Sequence, residues 1–171
     1  MQARTKKEFI VVALGGILLC SIGLYSSLYA RSVVRDDIRK QDITNLKRAI
    51  EQYNNAHAFY PTPPSGSSEC SKSSPQDWLL GEDSSLLKEH FIDAIPHDTR
   101  ESKGFAYMYC PTVISKGHTT GFYLQAQFES DQAEGVFFDD DEHRKFGYRI
   151  LNNNDTKLYR VCGGDDHQCN K

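Results

Sequence analysis

The chain has 171 residues, a formal net charge of −3 and a mean hydropathy of −0.57. Once an apolar N-terminal stretch is set aside, this length leaves room for one soluble domain of roughly 110–140 residues. The sequence contains no basic patch with interleaved aromatic residues, which argues against nucleic acid as a partner.

Residues 9–30 form an uncharged apolar stretch, FIVVALGGILLCSIGLYSSLYA, of 22 residues. A helix of about 20 apolar residues is long enough to cross a bilayer core. A cleaved signal peptide would have a shorter apolar region and a small residue where Leu28 stands. A lipoprotein would need a small residue before Cys20, and Leu19 occupies that position. We therefore expect an uncleaved membrane anchor at residues 9–30, preceded by a cytoplasmic tail at residues 1–8.

Residues 31–57 are predicted to continue the same helix into the soluble domain. The sequence has no proline before Pro61, so no residue breaks a helix that would be roughly 70 Å long. Seven apolar residues fall on one half of its surface, as is typical of a helix docked on a small domain. These residues are Val34, Ile38, Ile43, Leu46, Ala49, Ile50 and Tyr53.

Residues 58–103 are predicted to form a loop and a short helix. Prolines prevent the first helix from continuing, and a Ser/Pro/Gly-rich stretch follows them. Apolar residues at spacings of three and four predict one short amphipathic helix within residues 77–94. Ser84 or Ser85 would lie near its start, because serine is a favoured helix cap.

Residues 104–171 are predicted to form an antiparallel sheet and a C-terminal disulfide loop. Alternating apolar residues indicate strands at 105–110 and 122–128, joined by a loop at 114–120. Two further strand patterns flank Asn-Asn-Asn-Asp-Thr, a strong turn signal, and predict a terminal hairpin. The expected fold class is α+β, with a long helix on a sheet of about four strands.

Five cysteines are present, and Cys20 within the anchor is expected to be reduced. An even number in the polar region predicts two disulfides and an oxidising, extracytoplasmic location. Three pairings are possible, and proximity favours a terminal pair, which leaves the first two cysteines to pin the long loop. Reduced thiols or a zinc site are alternatives, although no C-x-x-C pair supports zinc. The four polar-region cysteines are Cys70, Cys110, Cys162 and Cys169.

The orientation of the anchor depends on these cysteines. Basic residues flank both ends of the apolar stretch, so the distribution of positive charge does not decide the topology. Oxidised cysteines would place residues 31–171 outside the cytoplasmic membrane and the N-terminus inside.

Several segments resemble type IV pilin-like proteins. Residues 35–53, RDDIRKQDITNLKRAIEQY, and Phe59-Tyr60-Pro61 resemble the run that follows the anchor in these proteins. Residues 87–110 and 122–129 resemble their later segments in the same order, and the likeness is greatest to the major pseudopilin of type II secretion systems. The resemblance implies a non-enzymatic filament subunit of the inner membrane, which packs helix to helix with other pilin-like subunits.

The chain departs from the family at the processing site. Family members have a glycine before the apolar helix and a glutamate at the fifth residue after the cut, where this chain has Glu8 and Ala13. Without that acid, the usual pairing with a neighbouring subunit's N-terminal amine is lost. The chain would then be a minor, initiating or non-assembling relative. The alternative is a monomeric, membrane-anchored extracytoplasmic binding domain with a pilin-like fold.

The resemblance also implies a calcium ion near the C-terminal strands. Calcium takes about six to eight oxygen ligands from such loops, but a run of carboxylates is more often solvated surface, and no EF-hand spacing is present. The candidate ligands are Asp139, Asp140, Asp141 and Glu142, with Asp155, Asp165 and Asp166 as further oxygens.

We expect no enzymatic activity. The six histidines have no metal-ligand spacing, and the sequence lacks a nucleophile elbow or a Gly-rich phosphate loop after a strand. His97-Asp98 is interpreted as part of a turn rather than half of a catalytic pair.

Overall fold

A long N-terminal helix packs on a small antiparallel sheet in the computed structural model, which describes residues 6–64, 69–130, 148–153 and 156–164. This arrangement confirms the predicted α+β class. The helices are α1 (Lys6–His57) and α2 (Ser85–Lys88), and a 3-10 turn spans Glu101–Lys103. The strands are β1 (Ser71–Lys72), β2 (Met108–Ser115), β3 (His118–Phe128), β4 (Tyr148–Asn153) and β5 (Thr156–Gly164).

Helix α1 is continuous for 52 residues, from the apolar stretch into the domain. At 1.5 Å per residue it is about 78 Å long. Every large apolar side chain from Ile10 to Leu28 is at least 55% exposed, so this half of the helix has almost no contact with the domain. Its length and composition fit a single-pass membrane anchor.

The second half of α1 packs mainly on β3, with further contacts to β5 and α2. Ile43, Leu46 and Ile50 are fully buried there, as predicted from their helical spacing. Two other members of the predicted stripe are not in the docked face, since Val34 is 58% exposed and Ile38 is 48% exposed. These two residues lie at the edge of the stripe. At this level of α1 the buried side chains are instead Asp36 and Arg39, which form hydrogen bonds with residues that follow β3.

The chain leaves α1 through a left-handed residue and returns to the sheet at once. Ala58 has a φ of 65°, and its N–H donates to the Asn54 carbonyl over 2.7 Å, which closes the helix. Tyr60 then bridges to Thr119 of β3. The predicted loop that follows also contains β1, a two-residue strand that the sequence pattern did not indicate.

Helix α2 is much shorter than the predicted helix within residues 77–94. The Ser84 hydroxyl accepts a hydrogen bond from the Leu87 N–H, which confirms the predicted start. Before it, the Asp77 carboxylate accepts the Lys72 N–H at 2.9 Å and contacts the Ser71 hydroxyl, so this segment is held to β1 in a turn. After it, His90 has a φ of 59° and ends the helix.

The sheet has the strand order β1-β2-β3-β5-β4, with antiparallel pairing throughout the described strands. The predicted loop at 114–120 is wrong, because Ser115 pairs with His118 across a two-residue turn. Lys116 and Gly117 both have positive φ, of 51° and 82°, as this tight hairpin requires. The terminal hairpin is confirmed by the pairing of β4 with β5.

Aromatic side chains fill the core between α1 and the sheet. Tyr109 is fully buried, and its hydroxyl donates to the Pro61 carbonyl over 2.7 Å, which ties β2 to the segment after α1. Phe122 packs at ring distances of 4.8 Å from Tyr60 and 5.3 Å from Tyr109. A side chain at Gly163 would collide with the Phe122 ring, so β5 needs a glycine at this point.

A disulfide between Cys70 and Cys110 fixes the long loop to β2, as predicted. Cys162 of β5 is also disulfide-bonded, while its predicted partner Cys169 lies outside the described residues. Cys20 is a free cysteine on the exposed, apolar half of α1.

Removing the Cys70–Cys110 disulfide should lower the free energy of unfolding by about 4 kcal/mol, the loop-closure estimate for a separation of 40 residues. The test is chemical denaturation of the full chain in detergent, comparing the wild type with a Cys70→Ser/Cys110→Ser double variant. Cys20→Ser is the matched control, because Cys20 closes no loop. Equal unfolding midpoints for all three proteins would contradict the expectation.

Candidate functional site

The predicted metal ligands do not lie in the part of the chain that the structure describes. Asp139, Asp140, Asp141 and Glu142 are outside the described residues, as are Asp155, Asp165 and Asp166. Among the described residues, no group of three or more His, Cys, Asp or Glu side chains could hold a metal ion. The calcium prediction therefore stays a prediction.

His97 and Asp98 are not partnered with each other. His97 faces Glu101 across 3.5 Å at the surface, and Asp98 turns inward to bind Arg39. The Asp98 carboxylate also accepts the Arg100 backbone N–H at 2.7 Å, so it shapes the turn that was predicted here. Asp98 is thus part of a buried ionic cluster that the sequence analysis did not identify.

Arg39 is the centre of this cluster. It lies on the face of α1 that packs against the domain, where a charged residue is unusual. Its side chain is 1% exposed, and it is the largest fully buried side chain in the described structure. Its guanidinium group donates to carboxylates from three different segments: Asp36 on α1, Asp98 before the 3-10 turn, and Glu129 after β3. The bonds to Asp36 and Glu129 are both 2.7 Å long.

Asp36 attaches the end of β3 to the helix through backbone groups. Its carboxylate accepts the Glu129 N–H at 3.0 Å, the Ser130 N–H at 2.8 Å and the Ser130 hydroxyl at 2.6 Å. These N–H groups follow the last strand residue and have no ladder partner, so the carboxylate satisfies donors that would otherwise be buried and unpaired. The position of the strand end is therefore fixed relative to one turn of α1.

Glu129 is bound by three arginines. Arg35 forms a two-point contact, with its Nε 2.9 Å from Oε1 and its Nη2 2.6 Å from Oε2. Arg39 and Arg100 complete the set. The hydrogen bond from Arg35, with those from Arg39 and Arg100, lowers the pKa of Glu129 to about 2 against the opposing effect of burial.

We call these six residues the Arg39 network: Arg35, Asp36, Arg39, Asp98, Arg100 and Glu129. Three guanidinium groups balance three carboxylates, so the network is formally neutral. The Phe105 ring covers it, with its centre 4.5 Å from the Arg39 guanidinium carbon and 5.4 Å from that of Arg100. Next to it, the Tyr107 hydroxyl donates to Asp42 over 2.6 Å, which links α1 to the residue immediately before β2.

The Arg39 network has a structural role: it holds α1, the end of β3 and the residue 98–104 turn together. Glu129 stays ionised at neutral pH because its pKa is so low, so it does not exchange a proton there. Every carboxylate in the network is held by hydrogen bonds within it, and none is left free to act on a substrate. Its effect is to fix the rotation and height of α1 against β3 and the residue 98–104 turn.

A second surface of interest is the exposed apolar strip of α1. It runs from Ile10 through the anchor and continues past the charged boundary at Arg31 to Val34 and Ile38. Within the described structure these two side chains have no apolar partner in the core, since the core cluster on α1 begins at Ile43. Apolar surface that continues beyond residues 9–30 is available for packing against another helix.

Comparisons with protein-family models, curated proteins and solved structures found no match for this chain.

One signal in the sequence could have revealed the Arg39 network. Asp36, Arg39 and Ile43 are spaced by three and four residues, so two charged residues continue the buried stripe at helical spacing. Charged residues at core positions are almost never fully buried unless they are paired. The sequence does not show that the partners would be Asp98 and Glu129, which lie 59 and 90 positions away from Arg39.

Replacing Arg39 with alanine should destabilise the fold by about 3–5 kcal/mol, since buried carboxylates would lose their shared cation. The measurement is the free energy of unfolding of the full chain in detergent. Arg48→Ala is the control, because Arg48 is exposed on the same helix and its removal should change stability by no more than about 0.5 kcal/mol. Equal losses of unfolding free energy in the two variants would show that the buried cluster stabilises the fold no more than an exposed arginine does.

Acid should destabilise the protein in a window set by Glu129. Its pKa is lower in the folded state than the ordinary value of 4.5, so its contribution is complete above pH 4.5 and is lost as the pH falls toward 2. This contribution is about 3 kcal/mol at most. Unfolding free energies measured from pH 6 to 2 should therefore fall less steeply in Glu129→Gln than in the wild type. Glu82→Gln, at an exposed position, should follow the wild-type slope.

Proposed function

We propose that this protein is a non-enzymatic, pilin-like subunit of a type IV filament or a type II secretion-type assembly. Its anchor would hold it in the cytoplasmic membrane, with the N-terminus inside and the domain outside. Its function would be mechanical: α1 would pack beside the same helix of other pilin-like subunits, while the sheet domain would face outward.

The main support for this proposal is that the residues of the Arg39 network come from the three segments that resemble pilin-like proteins. Arg39 belongs to the first segment that resembles pilin-like proteins, Asp98 to the second and Glu129 to the third. The three segments are far apart in the chain, yet their charged residues meet at one buried point. A shared structural role for these residues gives a physical reason for the likeness of the segments.

The exposed strip of α1 also supports assembly. Val34 and Ile38 are one helical turn apart, and they extend the apolar surface of the anchor into the domain half of α1. A tethered monomer gains nothing from apolar residues that face water at this level, whereas a helix bundle would bury them. The Cys70–Cys110 disulfide supports the proposed exposure of the domain to an oxidising compartment.

The second candidate function is a monomeric, membrane-anchored binding domain with the same fold. Glu8 and Ala13 favour it, because the residues used for processing and for subunit pairing in the pilin-like family are replaced. A minor or initiating subunit would reconcile these replacements with the apolar strip. The two candidates differ in whether the chain leaves the membrane.

The two candidates can be distinguished by shearing filaments from cells, separating the filament and membrane fractions, and measuring the mass of the chain in each fraction. An assembled subunit should be found in the sheared filament fraction, and a chain that begins at Phe9 would show that processing occurs despite Glu8. A chain of full mass that stays entirely in the membrane fraction would contradict the proposal and support the anchored monomer.

The apolar strip gives a sharper test of assembly. A Val34→Glu/Ile38→Glu double variant should reduce the sheared fraction by at least about tenfold, because burying unpaired carboxylates between helices costs several kcal/mol. Val34→Leu/Ile38→Leu is the matched control, which keeps apolar side chains at the same positions and should assemble. Both variants should have the wild-type unfolding midpoint, since neither position belongs to the core. Normal assembly of the glutamate variant would exclude this strip as the contact surface.

A further inference from the structure

A cavity of about 570 Å³ lies where α1 leaves the apolar anchor. Leu28, Arg31 and Arg35 line it from the helix, and Arg100, Lys103 and Glu129 line it from the domain. The helical residues are spaced by three and four, so they project from the same face of α1. The opposite wall is formed by the residue 98–104 turn, which Asp98 holds against α1 through Arg39.

The residues that line the cavity carry more positive than negative charge. Arg35 and Arg100 are bound to Glu129, so their charges are partly balanced. Arg31 and Lys103 are both exposed and form no ion pair with any residue that the structure describes. Because the Arg39 network is formally neutral, these two side chains give the cavity a net positive charge.

Arg35, which lines the cavity, also keeps a free donor group. Arg35 contacts Glu129 through Nε and Nη2, and within the described structure its Nη1 has no hydrogen-bond partner. Guanidinium groups bind phosphate oxygens through paired N–H donors, which an ammonium group such as that of Lys103 supplements as a point charge. The donor set therefore suits a group that carries a negative charge on several oxygens.

The level of the cavity along α1 matches the headgroup layer of a membrane. If the apolar stretch ends at Ala30, Arg31 and Arg35 lie about 2 Å and 8 Å beyond it along the helix axis. The headgroup region on each side of a bilayer is roughly 5–8 Å thick. Leu28 is 64% exposed at the lower edge of the cavity, where acyl chains would contact it.

We propose that this cavity binds the phosphate group of an anionic phospholipid from the leaflet that the domain faces. Arg31 and Lys103 would neutralise the net negative charge of the headgroup, and Arg35 would donate to its phosphate oxygens. The bound lipid would link α1 to the residue 98–104 turn and so set the height of the domain above the bilayer. This inference needs the membrane anchor but not filament assembly, so it survives if the proposed function fails.

The test uses the full chain in phosphatidylcholine nanodiscs with a fixed fraction of phosphatidylglycerol, and native mass spectrometry counts the anionic lipids retained on the protein. An Arg31→Gln/Lys103→Gln variant should weaken phosphatidylglycerol retention on the order of tenfold. Arg48→Gln/Lys72→Gln is the matched control, because it removes two exposed cations remote from the cavity and changes the net charge equally. Its retention should equal that of the wild type.

Two outcomes for these variants would overturn the proposal. Unchanged retention in the cavity variant would show that these side chains do not bind the lipid, and equal losses in both variants would indicate only bulk charge attraction. A further sample contains inorganic phosphate. If the phosphate does not displace phosphatidylglycerol from the protein, the result supports a lipid site. If the phosphate displaces phosphatidylglycerol and also binds the protein in pure phosphatidylcholine nanodiscs, the cavity binds a soluble anion and the proposal is overturned. Thermal unfolding should be the same in all variants, since none of the four side chains is buried.

Discussion

The buried guanidinium group of Arg39 is the interaction on which the rest of the structure depends. A cation with almost no exposure is tolerated only when carboxylates surround it closely, and here each carboxylate comes from a different segment of the chain. The interaction is directional as well as strong, because a planar fork of N–H donors fixes the angle of approach of every partner. It therefore positions α1, the end of β3 and the residue 98–104 turn at the same time. The apolar core between α1 and the sheet supplies most of the burial, whereas this network determines the register.

This constraint acts on a helix whose two halves differ: one half is apolar and exposed, and the other half is packed on the domain. The exposed half of α1 has apolar side chains on all faces and no preferred rotation, so the anchor alone could present any face of the helix to the domain. The Arg39 network lies just beyond the anchor and removes this freedom within two turns. Tyr107 and Asp42 repeat the constraint further along the helix, and Ile43 begins the apolar contact. Motion of the exposed half of α1 should therefore be transmitted to the domain as a rigid body.

The same network places two unpartnered surfaces on α1 at neighbouring levels. Val34 and Ile38 are about half exposed at the edge of the docked face, while Arg31 and Arg35 line the cavity beneath the turn. The apolar surface is suited to a second helix, and the cationic surface is suited to lipid phosphate. An anchored monomer could use only the second surface, whereas an assembling subunit would use the lipid while in the membrane and the apolar strip after extraction.

Local features of the sequence determined the elements, and only the tertiary structure determined how they meet. The uncharged stretch, the absence of proline and the helical spacing of Ile43, Leu46 and Ile50 were sufficient to predict α1, because each depends on neighbouring residues alone. The alternation of residues 122–128 predicted β3 for the same reason. The length of α2, the strand β1 and the outward position of Val34 could not be predicted, since they depend on contacts such as that of Asp77 with β1. The helical spacing of Asp36 and Arg39 indicates that they continue the buried stripe, but their partners could not be predicted. Asp98 and Glu129 are distant from Arg39 in the chain and are brought to it only by the fold.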